Sequence, residues 1–154
     1  MAAYFFDSSA IVKRYISERG STWVTSMTEP AANNRIYIAR ITAVEVVSAI
    51  TRRRRGGSLS LSDASTAITL FRHDLVNEYR IIEVTPTLID VAMSLAETHG
   101  LRAYDATQLA AALEINHQRL AWRLSSVTMV CADVRLNVAA STEGLTVDNP
   151  NNYP

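Results

Sequence analysis

Lysine is nearly missing from this chain. Lys13 stands alone against fourteen arginines, yet fifteen basic and fifteen acidic side chains leave no net charge over 154 residues. That balance excludes a global field drawing the protein to nucleic acid, while leaving room for a basic rim around an acidic pocket. The arginine excess suits bidentate phosphate contacts, and a GC-rich coding bias gives the same excess. Cysteine is as scarce: with only Cys131, neither an intrachain disulfide framework nor a cysteine-rich zinc site can form. No apolar run approaches the ~20 residues of a membrane helix. No basic segment followed by a long apolar core marks a signal peptide. The expectation is a cytoplasmic protein with no membrane attachment.

What is present is an ordinary globular composition, 48% hydrophobic, in a length that one domain fills while burying roughly 70% of its unfolded surface. Tyr4-Phe-Phe6 reads as a buried strand and Ser8 to Tyr15 as a helix. A short helix is expected around Thr22–Met27, then a strand over Ile36-Tyr-Ile38-Ala. Apolar residues at helical spacing follow Thr42 and stop at Gly56-Gly57, and a further helix starts at Ser62. Arg80-Ile-Ile-Glu-Val-Thr is a third strand, and Pro86 suits the first turn of a helix ending at Gly100. Leu101–Leu120 carries a strongly apolar helical face. A fourth strand begins at Val127, a helix follows Asp133, and Leu145-Thr-Val closes the pattern. Strands alternating with helices argue for an α/β three-layer sandwich around a mostly parallel sheet. One domain is expected over 1–148, with a polar tail, 149–154 (Asn-Pro-Asn-Asn-Tyr-Pro), that frays.

Four acids occupy related positions in that scheme. Asp7 and Asp133 each follow a core strand, Glu45 lies in the first turn of the helix after the second strand, and Asp105 begins the apolar helix. In an open parallel sheet, ligands bind in the crevice beyond the carboxyl ends of the strands. Each acid also has a local explanation. Asp7 and Asp133 suit turns or N-caps, Asp105 complements a helix dipole, and Thr42-Ala-Val-Glu45 reads as a capping box. Caps need no neighbouring carboxylates, however. Four in one pocket repel, and without a cation at least one holds its proton. An all-oxygen set suits Mg²⁺, with Mn²⁺ as substitute, better than zinc, and His73, His99 and His117 show no metal spacing.

The stretches Asp7-Ser-Ser-Ala-Ile-Val-Lys, Thr42-Ala-Val-Glu45-Val, Arg102-Ala-Tyr-Asp105-Ala-Thr-Gln-Leu-Ala and Cys131-Ala-Asp133-Val-Arg-Leu resemble the ordered acidic motifs of PIN-domain ribonucleases. In detail they resemble the VapC toxins of bacterial toxin–antitoxin pairs, over nearly the whole chain. The resemblance implies a PIN-like fold and a metal-dependent endoribonuclease with Asp7, Glu45 and Asp105 as core metal-site acids and Asp133 as a more variable fourth. It implies that Ser8 helps order the site, that the substrate is RNA, that a cognate antitoxin inhibits the toxin, and that the chain pairs as a homodimer. Family members often carry Ser or Thr two residues before the fourth acid, where this chain has Cys131.

Arg14, Arg40 and Arg102 lie nearest the acids in sequence and are candidates for a basic rim that contacts RNA. Arg52-Arg-Arg-Arg55 complements a helix C-terminus; of this run, Arg53 and Arg54 are further candidates. No aromatic interleaving marks a single-strand stacking platform. Two rivals stand against the enzyme. A phosphoacceptor receiver domain needs paired acids after its first strand and a lysine at a later strand end, and Asp7 has no acidic neighbour. A non-catalytic module on the same fold, binding metal or a basic peptide at its acidic edge, remains, because fold alone fixes no activity.

Overall fold

A computed structural model describes all residues, 1–154. Five strands, β1 (Ala3–Phe6), β2 (Arg35–Ala39), β3 (Arg80–Ile82), β4 (Thr128–Val130) and β5 (Thr146–Asp148), form one sheet. The strand order is β3-β2-β1-β4-β5, and every neighbouring pair is parallel. Seven α-helices connect them: α1 (Ser8–Ile11), α2 (Ser21–Thr28), α3 (Thr42–Arg55), α4 (Leu61–Asn77), α5 (Pro86–His99), α6 (Ala103–Ala121) and α7 (Val134–Thr142). None is long and apolar enough to cross a membrane.

The three central strands, β1, β2 and β4, are buried on both faces, as strands of parallel sheets are, and alternate residues feed two separate cores. Ala3, Phe5, Tyr37, Ala39 and Met129 pack with α5, α6 and α7. Phe6, Ile36, Ile38 and Val130 pack with α1, α2, α3 and α4 on the opposite face. Phe5 and Phe6 are fully buried in different cores, and each contributes about 2–3 kcal/mol of burial. Three layers result.

The chain runs outward from β1 through β2 to β3, then returns to the other side of β1 at β4. The order therefore reverses beside β1, at the position where open α/β sheets form their ligand crevice. Helix ends follow local chemistry. Thr85 Oγ1 accepts from Leu88 N ahead of Pro86, and Gly100 closes α5 in the left-handed region at φ 64°. The tail does not fray. Pro150–Asn152 form a 3₁₀ turn with Pro150 buried, and Tyr153 stacks on Trp23 of α2 at 4.4 Å between ring centroids. Pro150 also lies directly over Gly20.

Candidate functional site

Asp7 is the first residue beyond β1, and its backbone N–H donates to Val130 O of β4 at 3.1 Å, which ties it to the crevice. Its carboxylate does cap α1: Oδ1 accepts from Ala10 N at 3.1 Å and from Ser9 Oγ at 2.7 Å. Oδ2 takes a third bond, from Cys131 Sγ at 3.3 Å. Despite these donors, burial pushes the Asp7 pKa up to about 6, and the nearby Glu45 carboxylate pushes the same way. A cap facing solvent would not be perturbed so far. The carboxylate is buried and hydrogen-bonded, and no basic side chain pairs with it.

Glu45 sits in the first turn of α3, but the expected capping box is not formed. Ile41 is the N-cap and makes no side-chain bond. Thr42 is the first helical residue, and its fully buried hydroxyl accepts from Gln108 Nε2 at 2.8 Å. Glu45 also turns away from the helix end: Oε1 accepts from Gln108 Nε2 at 2.7 Å and Oε2 from Ser8 Oγ at 2.9 Å. Tertiary partners outcompete the local cap because both side chains face a packed helix rather than water. Gln108, one turn beyond Asp105 on α6, is a site residue that the sequence reading passes over. Its one signal is a polar side chain within the apolar face of α6. Its Oε1 is buried with no partner.

Asp105 and Asp133 form the second half of the edge. Asp133 caps α7, accepting from Arg135 N at 2.8 Å and Leu136 N at 3.2 Å. With Leu101, Arg102 and Arg135 the two acids line a hollow of about 150 Å³. Burial and the Asp133 charge raise the Asp105 pKa, opposed by Arg102 and Arg135. The halves meet at Cys131. Its thiol donates to Asp7, and its sulfur accepts from Asp133 N at 3.3 Å, so cysteine fills the polar role of the expected hydroxyl. Burial and the Asp7 charge push the thiol pKa far up, which leaves it a hydrogen-bonding group rather than a nucleophile.

The acids thus stand along one sheet edge as two repelling pairs, Asp7 with Glu45 and Asp105 with Asp133. None takes part in an ion pair. No three metal-ligating side chains come close enough together to hold one ion. The pairs nonetheless suit a hard cation: Mg²⁺ keeps several waters and takes one or two carboxylates, completing its shell with substrate phosphate.

The arginines divide differently from the sequence expectation. Arg14 is not on a rim. It is largely buried, bonded to Asp74 at 3.0 Å and to Thr28 Oγ1 at 2.7 Å. Arg53 is engaged with Glu18, which also pairs with Lys13, and Arg54 is half-buried. Arg40 pairs with Glu83 on the open surface, an exchangeable contact worth little. Arg102 lines the Asp105 hollow. From the basic run it is Arg52 and Arg55, exposed and unpaired, that face the grooves along α3.

A family profile described as PIN domain matches residues 4–123. The chain is 29% identical over 147 residues, 96% of its length and 95% of the relative's, to Ribonuclease VapC45 of Mycobacterium tuberculosis (strain CDC 1551 / Oshkosh). Its fold is similar to the crystal structure of FitAcB from Neisseria gonorrhoeae, with a TM-score of 0.65, 16% identity and coverage of 96% of this chain and 97% of that one. It is also similar to a toxin–antitoxin complex from Klebsiella pneumoniae, with a TM-score of 0.60, 15% identity and coverage of 96% and 97%.

Proposed function

The chain belongs to the PIN-domain family, and from that membership we propose that it is a VapC-type toxin, a metal-dependent endoribonuclease that hydrolyses RNA phosphodiester bonds. The carrying observation is the run of four carboxylates at the carboxyl edge of a parallel sheet with no basic side chain paired to any of them. Evolutionary likeness to a protein named a ribonuclease supports the reaction class, and the fold shared with a toxin–antitoxin complex supports an antitoxin as partner.

Asp7, Glu45, Asp105 and Asp133 would hold Mg²⁺, with Mn²⁺ as substitute. A bound divalent cation supplies charge neutralisation at the attacked phosphate and a water acidic enough to be a nucleophile near neutral pH. The chain's own contribution is preorganisation. Ser8 and Gln108 fix both oxygens of Glu45, while Ser9, Ala10 N and Cys131 fix both oxygens of Asp7. Ligands held this way lose little side-chain freedom when they engage substrate. Arg102, Arg135 and Arg40 stand around the edge as cations for flanking phosphates. The antitoxin inhibits by laying a peptide over the acidic edge, and the toxin works as a homodimer in the cytoplasm.

The test is cleavage of single-stranded RNA with Mg²⁺ or Mn²⁺ and with excess EDTA, alongside the melting temperature. Metal should switch cleavage on and raise the melting temperature, because a ligand of the native state stabilises it by mass action. Cleavage that continues unchanged in EDTA removes metal from the reading. Metal-induced stabilisation with no cleavage of any RNA favours the non-catalytic module.

A further inference from the structure

Beside the acidic edge, α1, α3 and the start of α6 enclose a hollow of about 390 Å³, within the size range of small-molecule sites. Glu45 is the only one of the four acids that lines it, and beyond Glu45 the lining changes character: Ser48, Arg52 and Tyr104. Glu45, Ser48 and Arg52 are spaced i, i+3 and i+7 on one face of α3, so the guanidinium root lies about 10 Å along the helix from the carboxylate. Tyr104 directly precedes Asp105 in the first turn of α6, and 60% of it is exposed. Arg52 is exposed and has no acidic partner.

A large aromatic ring left open beside a cluster of acids contributes nothing to the core. An aromatic face, a free hydroxyl and a free guanidinium in sequence, starting from the reacting edge, match base, sugar and phosphate. We propose that this hollow is a nucleotide subsite, which stacks the base adjoining the scissile phosphodiester on Tyr104 and takes the next phosphate on Arg52. The inference rests on the nuclease reading above and adds where the strand runs: along α3, away from Asp133. The neighbouring groove between α3 and α4, about 650 Å³, shares Arg52 and Ser48 and adds Arg55 and Arg72 to an apolar wall of Val44, Val47 and Leu75, but its one aromatic, Phe71, is fully buried and offers no face for stacking.

Both side chains are exposed, so their substitution tests contact rather than folding. Cleavage of a short single-stranded oligoribonucleotide, and binding of the same labelled oligomer to the Asp7→Asn protein, are the readouts. Tyr104→Ala should raise KM and Kd about tenfold, as the loss of one stacked base does, with kcat near its original value, and Tyr104→Phe should restore both. Arg52→Ala should reduce the salt slope of binding by about one, the loss of one phosphate contact, and Arg52→Lys should regain it. If the unaltered chain cleaves RNA while Tyr104→Ala leaves KM and Kd unchanged, the subsite is wrong and the nuclease reading stands. If the substitutions weaken only neutralisation by the antitoxin and leave KM for RNA untouched, the hollow binds peptide and the proposal is overturned. If the unaltered chain neither binds nor cleaves RNA, the underlying reading fails and the subsite with it.

Discussion

At the residue scale, Asp7 answers two demands at once, and the demands separate with pH. Its pKa of about 6, against 3.8 unperturbed, means that the folded protein holds a proton which the unfolded chain has already released. From about pH 4 to 6 the native state therefore binds more protons, so Asp7 makes its contribution most favourable below that window and loses it as pH rises. At 1.36 kcal/mol per unit the loss is about 3 kcal/mol, complete above pH 6 in the absence of metal. Asp7→Asn keeps the capping oxygen, and Asn caps as well as Asp. Urea unfolding of the two proteins across pH 4 to 7 should show the Asn variant gaining on the original by roughly that amount, with RNA cleavage lost. A difference that does not change with pH would mean that Asp7 ionises normally. Cys131→Ser offers a stronger donor to Asp7 Oδ2. It should preserve folding and cleavage and move the acidic limb of the pH–rate profile downward, since a bond to the charged form favours it. A profile that does not move would detach Cys131 from the acid.

At the scale of elements, α3 shows what one sequence can and cannot disclose. Its existence, its start near Thr42 and its stop at Gly56 follow from apolar spacing and two glycines, and the structure agrees. Which way its polar residues face does not follow. Glu45 bonds to residues 37 and 63 positions away, and a local pattern that reads as a capping box carries no trace of such partners. The arginine run poses the same problem. Adjacent residues on a helix point about 100° apart, and only the packing of Glu18 against α3 decides that Arg53 is engaged while Arg52 looks into the hollow. Arg53→Ala should then cost a few tenths to 1 kcal/mol in stability and leave the salt slope of RNA binding unchanged. A flattened slope would return Arg53 to the nucleic-acid face. The α4 helix has its own hidden anchor. Asp74, 3% exposed, bonds Arg14 and Tyr15, and Tyr15 contacts Tyr79. Asp74→Ala leaves the Arg14 charge buried without its partner and should cost about 3–5 kcal/mol by urea unfolding. A cost under ~1 kcal/mol would mean that water already reaches Arg14.

For the whole molecule, alternation of strands and helices is enough to specify layers and a parallel sheet, because apolar strands joined by helices have few other ways to bury both faces. The acidic edge is legible for the same reason: carboxyl ends of parallel strands share one side. The closure of the chain is not, since Asn-Pro-Asn-Asn-Tyr-Pro has the composition of a loose end, and its order depends on a distant ring and a distant glycine. Gly20 has φ 85°, and a Cβ there would run into the Pro150 carbonyl. Gly20→Ala therefore carries two costs. The left-handed backbone alone accounts for about 1–2 kcal/mol, and displacing the tail adds the loss of the Trp23–Tyr153 stack, about 0.5–1.5 kcal/mol beyond its area. Removing residues 149–154 should abolish the second cost and leave the first. The two changes share one contact and should be non-additive: the alanine should be measurably cheaper in the shortened chain than in the full one. Equal costs in both backgrounds would show that the tail does not press on Gly20.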